Sequence, residues 1–259
     1  MLHSSARDNI YKNDLTTPET FDFPGLFIYA QITNHVRMQR LPEKVINLYI
    51  IVWIKLLKGY NIMISEIYSR RSIRKFLPTP IPKQDMNEII QSGIKAPSSK
   101  NRQPWKYFVI QGNAKEKMLD IFRQGIKREE SQNSLLPKSK QHIVSAKHTV
   151  DIMAEAPVIV FVVNSLGKSL FSELTLEEHI SEICNIQSIS ASIQNMLLTA
   201  TEKGIGSLWI CDIYFAYPEL CTWLNCDGQL IAALAFGYPN ETPGERPRKK
   251  IGEVVEWRI

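Results

Sequence analysis

Ala156–Asn164 reads Ala-Pro-Val-Ile-Val-Phe-Val-Val-Asn, an unbroken apolar run of the length of one strand buried on both faces. A strand of that kind needs cover on both sides. Leu230–Tyr238, reading Leu-Ile-Ala-Ala-Leu-Ala-Phe-Gly-Tyr, repeats the pattern and predicts a second buried strand, and Tyr107–Ile110 a third, shorter one. Between them lie stretches of helical period. Lys83–Ala96 carries Met86, Ile89, Ile90 and Ile94 and stops at Pro97, and Ile183–Lys203 carries Ile186, Ile189, Ile193, Met196, Leu197 and Ala200 and stops at Gly204. Lys115 to about Lys127, Tyr217–Leu224 and a short segment around Ile64, Ile67 and Tyr68 complete the expected helices. A sheet packed by helices follows, in a chain of 259 residues with 44% apolar content, enough for a substantial core.

Composition excludes several classes. A formal charge of +5 without long basic and aromatic runs argues against a nucleic-acid groove. Cys184, Cys211, Cys221 and Cys226 have no Cys-x-x-Cys spacing, and the histidines form no His-Glu-x-x-His frame, so no metal site is expected. Val45–Ile54 is interrupted by Asn47 and falls well short of the roughly 20 residues of a membrane span. The N-terminus lacks the pattern of a secretory leader, and a cytoplasmic protein with reduced thiols is expected.

The cations concentrate instead in two places. Arg70–Phe76 reads Arg-Arg-Ser-Ile-Arg-Lys-Phe, and Arg246–Lys250 reads Arg-Pro-Arg-Lys-Lys. Guanidinium groups grip phosphate oxygens in a planar fork and ammonium groups bind them as point charges, so a phosphorylated ligand suits such clusters better than a solvated face. Pro97–Trp105, reading Pro-Ser-Ser-Lys-Asn-Arg-Gln-Pro-Trp, is a loop whose Ser98, Ser99, Asn101 and Gln103 present donors and acceptors matched to the edge of a planar heterocycle. Gly204–Ile210, Gly-Ile-Gly-Ser-Leu-Trp-Ile, supplies glycines that let backbone approach a ligand closely.

In that order, the basic cluster, polar loop, glycine turn and terminal basic cluster resemble the nitroreductase family of FMN-dependent oxidoreductases over about residues 63–259. The resemblance implies an α+β fold: a central, mainly antiparallel sheet packed by helices, in an intertwined homodimer with two FMN sites at the subunit interface. It places Arg70 and Ser72 at the flavin phosphate, with Arg71 between them, and Arg74 at the isoalloxazine. It assigns Ser98, Ser99, Asn101 and Gln103 to a loop that meets the flavin from the partner subunit, Leu208 and Trp209 to the turn beside the ring, and Arg248 with Lys249 or Lys250 to the phosphate. No catalytic side chain is implied, because the flavin carries the hydride. With no Rossmann glycine fingerprint in the chain, NAD(P)H is expected as a visiting substrate and turnover as ping-pong, ending on a nitroaromatic, quinone or related small acceptor. Same-fold specialists, of deiodinase-like, flavin-cleaving or dehydrogenating chemistry, and a non-catalytic FMN-binding protein are the alternatives. Residues 128–147 and 166–178 are expected to cover the surface or entrance that decides among them.

Residues 1–62 sustain neither period. They are expected to be a poorly ordered N-terminal extension, or to lie upstream of a natural start at Met63, where the family-like text Met-Ile-Ser-Glu-Ile-Tyr-Ser-Arg-Arg-Ser opens.

Overall fold

The computed structural model describes residues 64–259. The expectation for residues 1–62 lies outside the described residues. Helix α1 (Ser65–Ser69) leads into the basic cluster, and α2 (Lys83–Ile94) follows a proline-rich extended stretch. Strand β1 (Trp105–Ile110), helices α3 (Asn113–Glu130) and α4 (Ile143–Glu155), and strand β2 (Val158–Asn164) come next. The long helix α5 (Leu176–Glu202), strand β3 (Gly206–Ile210), helix α6 (Tyr217–Leu224), strand β4 (Gln229–Gly237) and the short α7 (Ile251–Val254) complete the chain. Short 3-10 turns cover Ser99–Asn101, Pro137–His142 and Asp212–Ala216.

The four strands form one sheet in the order β1-β2-β4-β3, and every pairing is antiparallel. The two continuous apolar runs are therefore its two central strands. Side chains of a strand alternate between faces, so β2 serves two cores at once. Ile159, Phe161 and Val163 pack with α3, α4 and α6, while Val158, Val160 and Val162 pack with α2 and α5. Each such fully buried side chain contributes about 1.5–3 kcal/mol relative to exposure. The register of β2 with β4 slips between Val162 and Val163, where Ala232 and Leu230 are the partners. Ile231 is the extra residue of this bulge, so Leu230 and Ala233, at odd spacing, share one face.

Three elements differ from the expectation. Helix α5 begins at Leu176 rather than Ile183, because Thr175 and Glu178 form a reciprocal capping box that closes its first turn. The end of residues 128–147, expected as cover for a surface or entrance, instead opens helix α4, which buries Ile143, Ala146, Val150, Ile152 and Met153. The glycine turn continues as strand β3, zipped to β4 from Gly206↔Gly237 to Ile210↔Ala233. Helix α3 and the Asp212–Ala216 turn meet backbone to backbone, since a Cβ on Gly125 would lie 2.3 Å from Ala216 Cα. Among the described residues no helix is long and apolar enough to cross a membrane.

Candidate functional site

The basic cluster is held as a strap along the open edge of β3. Ile73 N–H donates to Ser207 O at 3.0 Å, Leu77 N–H to Tyr238 O at 2.8 Å, and Asn240 N–H to Lys75 O at 2.9 Å. These bonds thread the strap between β3 and the exit of β4. The strap buries Ile73 and Phe76 and turns Arg74 and Lys75, between them, into solvent. Glu241 fixes the exposed turn, its Oε1 accepting from Arg74 N–H and, at 3.2 Å, from Lys75 N–H.

Beside the strap lies an open cleft of about 200 Å³, lined by Ser69, Arg71, Ile73, Gly206, Ser207 and Glu241 among others. Its floor needs glycine: a Cβ on Gly206 would come within 2.9 Å of Ile73 Cγ1. Ser207, 2% exposed, carries a buried hydroxyl with no hydrogen-bond partner among the described residues. Such a group costs about 1–3 kcal/mol when left unsatisfied, so a further polar partner reaching it would be stabilising.

The electrostatics agree. Burial, then the nearby charges of Arg248 and Arg71, hold Arg70 below its ordinary value. Cations from opposite ends of the described chain are thus within Coulombic reach of one another. Arg71 donates to Tyr68 O at 2.5 Å and Arg70 O at 2.9 Å, and stands 3.9 Å from the carboxylate of Glu245. Ser72 bridges to Ser207 in parallel register. Arg74 Nη1 donates to Ser72 O at 3.3 Å, which folds its side chain back over the strap. Leu208 is buried and Trp209 half-buried on β3. Arg248, Lys249 and Lys250 are exposed just before α7.

The polar loop is elsewhere. It runs into the first residue of β1, which pairs with the last of β2, Asn164, whereas the strap sits where β2 begins and β4 ends. Three strand spacings across and some six residues along separate these corners of the sheet, roughly 25 Å on the diagonal. One chain therefore does not bring Ser98, Ser99, Asn101 and Gln103 to the arginines. The loop is nevertheless strongly specified. Lys100, Asn101 and Gln103 all have left-handed backbone, with φ of 52°, 54° and 50°, a conformation that only asparagine among them adopts readily. Ser98 Oγ accepts from Gln103 N–H at 3.0 Å, and Ser188 Oγ on α5 accepts from Ser99 N–H at 3.3 Å. Asn101 and Gln103 remain exposed.

Sequence reading missed Ser207 and Glu241. Ser207 lies inside the glycine turn already singled out, so its position was available there. Glu241 carries no local signal.

Comparison with known proteins decides what this frame is. The sequence model of the Nitroreductase family matches residues 67–238. The chain belongs to the nitroreductase family. The matched span of this nitroreductase runs from α1 through the residue after β4, and so takes in the strap, the polar loop and β3. YfhC of Bacillus subtilis, named as an NAD(P)H nitroreductase, is 25% identical over 195 residues, 74% of this chain and 92% of the relative. A nitroreductase-like protein of Bacillus cereus superposes with a TM-score of 0.60 at 20% identity, covering 78% of this chain and 98% of that structure. The FMN-dependent nitroreductase NfnB of Mycobacterium smegmatis, solved in complex with NADPH, gives 0.59 at 18% identity over 75% and 96%. At such identities the two structures establish the fold.

Proposed function

We propose that this nitroreductase is an FMN-dependent oxidoreductase that takes electrons from NAD(P)H and passes them to a nitroaromatic, quinone or related small acceptor in a ping-pong cycle. The observation that carries the reading is the mutual approach of Arg70, Arg71 and Arg248, of which Arg71 lines the cleft together with Ser207, whose hydroxyl has no partner among the described residues. Like charges gathered without an anion repel, and a phosphate would reverse that sign. The donor set fits FMN: Arg70, Ser72 and Arg248 for the phosphate with Arg71 and Lys249 or Lys250 beside them, and Leu208, Trp209 and Arg74 toward the ring. Bound flavin would supply the hydride chemistry. The chain's own part is placement and charge, with Arg74 as a cation favouring an electron-rich ring.

The test is purification of the full chain, an absorbance spectrum, FMN titration of the apo form, and anaerobic oxidation of NADH and NADPH with nitroaromatic and quinone acceptors. The expected result is a yellow protein bleached by the nicotinamide and recoloured by acceptor. A chain that takes up no FMN removes the proposal, and one that binds FMN without being bleached is a storage protein instead.

The active form is a homodimer in which the loop containing Ser98, Ser99, Asn101 and Gln103 completes the partner's site. Supporting this are the roughly 25 Å between loop and strap in one chain and the apolar side chains exposed among the described residues, with Ile251 at 75%, Trp257 at 80% and Ile183 at 56% exposure. Mixing an Asn101→Ala chain with an Arg74→Ala chain is expected to recover about a quarter of wild-type turnover, from one intact site in half of the dimers. No recovery after verified subunit exchange would mean that each site is built from one chain.

A further inference from the structure

Helix α6 ends on a left-handed Asn225, with φ 46° and ψ 51°. Asn225 N–H donates to Thr222 O at 3.2 Å and Cys226 N–H to Cys221 O at 3.3 Å. This pair of bonds is the Schellman closure, which folds the residue after the left-handed position back onto the residue five before it and brings their side chains together. Two apolar groups usually fill that contact. Here both are cysteines, free, half-buried and packed against the same core. Burial first, then the charge and hydrogen bond of the adjoining Cys226, push the Cys221 thiol up to about 12. The direct backbone hydrogen bond from Cys226 N–H to Cys221 O at 3.3 Å keeps the two residues immediate neighbours in space, as the usual disulfide Cα separation of about 4.4–6.8 Å requires.

We propose that Cys221 and Cys226 form a modification site: a thiol pair converted to an intramolecular disulfide by low-molecular-weight disulfides of the glutathione class. Cys221, held protonated, is the poor attacker, so the first exchange falls to Cys226. Its thiolate attacks one sulfur of the reagent, the reagent's S–S bond breaks, and one small thiolate leaves. The Cys221 thiol then gives its proton to solvent and its sulfur attacks the Cys226 sulfur, which expels the second small thiolate. Two protein thiols are oxidised to one disulfide and one reagent disulfide is reduced to two thiols.

The other two cysteines stand outside this closure. Cys211 is exposed beside Asp212 before the 3-10 turn, and Cys184 lies on α5. The bridge would form under the segment that leads into α5, since the ring of Phe171 packs edge-on against Tyr217, 5.9 Å between centroids, and the Tyr217 hydroxyl adjoins Cys221.

The test uses the purified full chain, as isolated, in glutathione buffers of increasing oxidised fraction, quenched by acid, alkylated, and read by intact mass and chymotryptic mapping. The expected product has lost two hydrogens and two alkylatable thiols, retains no glutathione, and links Cys221 to Cys226. Cys221→Ser is expected to stop at the mixed disulfide, with glutathione held on Cys226, while Cys184→Ser and Cys211→Ser bridge as the wild type does. All thiols remaining alkylatable in fully oxidised glutathione, a link through Cys184 or Cys211, or a Cys221→Ser chain that takes no adduct would each overturn the proposal. The wild-type measurement stands whether or not any variant folds.

Discussion

Replacing Arg70 by alanine is expected to weaken FMN binding about 10- to 100-fold while leaving the apo chain at least as stable as the wild type. A charge-assisted hydrogen bond to phosphate contributes about 1.5–3 kcal/mol, and each 1.4 kcal/mol is a factor of ten in affinity. The opposite sign in the apo chain has its own cause. Arg70 is held below its ordinary value by burial and by Arg248 and Arg71, so without an anion its charge is a net electrostatic burden on the fold. Removing that charge relieves the repulsion, and the strap stays in place because its bonds to Ser207, Tyr238 and Asn240 use backbone groups. Fluorescence titration with FMN and thermal unfolding of the flavin-free chain measure the two effects separately. Parallel losses in both would make Arg70 a structural residue and remove it from the proposed phosphate site.

That prediction rests on a cluster legible in the sequence, whereas its supports were not. Runs such as β2 and β4 declare themselves because a strand buried on both faces must be apolar at every position, and α2 does so through a sustained helical period. The start of α5 hides because its first turns carry the exposed Leu176, Ile180 and Ile183, which give no core-facing stripe until the helix reaches the sheet. Only the Thr175 and Glu178 capping pair marks it. Helix α4 hides for a related reason, as its buried face includes the small Ala146 and the polar Thr149 while Val144 is exposed.

The site divides in the same way. Cations draw attention wherever they cluster, so Arg70 and Arg248 could be singled out before any geometry was known. Glu241 could not, since its partners are the backbone amides of Arg74 and Lys75, 167 and 166 positions away. A pairing of that kind depends on how β4 exits the sheet. The separation of the polar loop from the arginines is likewise a property of sheet order: with β2 and β4 placed between β1 and β3, two segments that read as one site along the chain lie at opposite corners.

The largest effect on stability is expected at Glu129, where Glu129→Gln should cost about 3–5 kcal/mol at neutral pH, since two or more buried donors lose their acceptor at about 1–3 kcal/mol each. Its carboxylate is 1% exposed and closes the loop after α3. Oε2 accepts from Ser134 Oγ at 2.6 Å and Leu136 N–H at 2.9 Å, while Oε1 accepts from Leu135 N–H at 3.2 Å and from the Arg128 guanidinium. Arg128 is in turn bidentate to Glu219 at 2.6 and 3.1 Å, tying α3 to α6. A glutamine keeps one acceptor oxygen but sets an NH₂ group against donors and removes the charge facing Arg128. At about 2–4 °C per kcal/mol for a domain of this size, the melting temperature should fall by roughly 6–20 °C. Burial alone would raise the Glu129 carboxyl, but the Ser134 hydroxyl, the Leu136 amide, Arg128 and the Leu135 amide outweigh it and hold the group below its ordinary value of 4.5. A depressed folded-state value means stability that is fully present above 4.5 and is lost as pH falls through the lower folded value. The gap in melting temperature between wild type and Glu129→Gln should therefore be widest at neutral pH and narrow once the pH drops below that of a free glutamate. A gap that is absent at pH 7, or that does not shrink on acidification, would show that the ionised carboxylate is not what holds this loop to the fold.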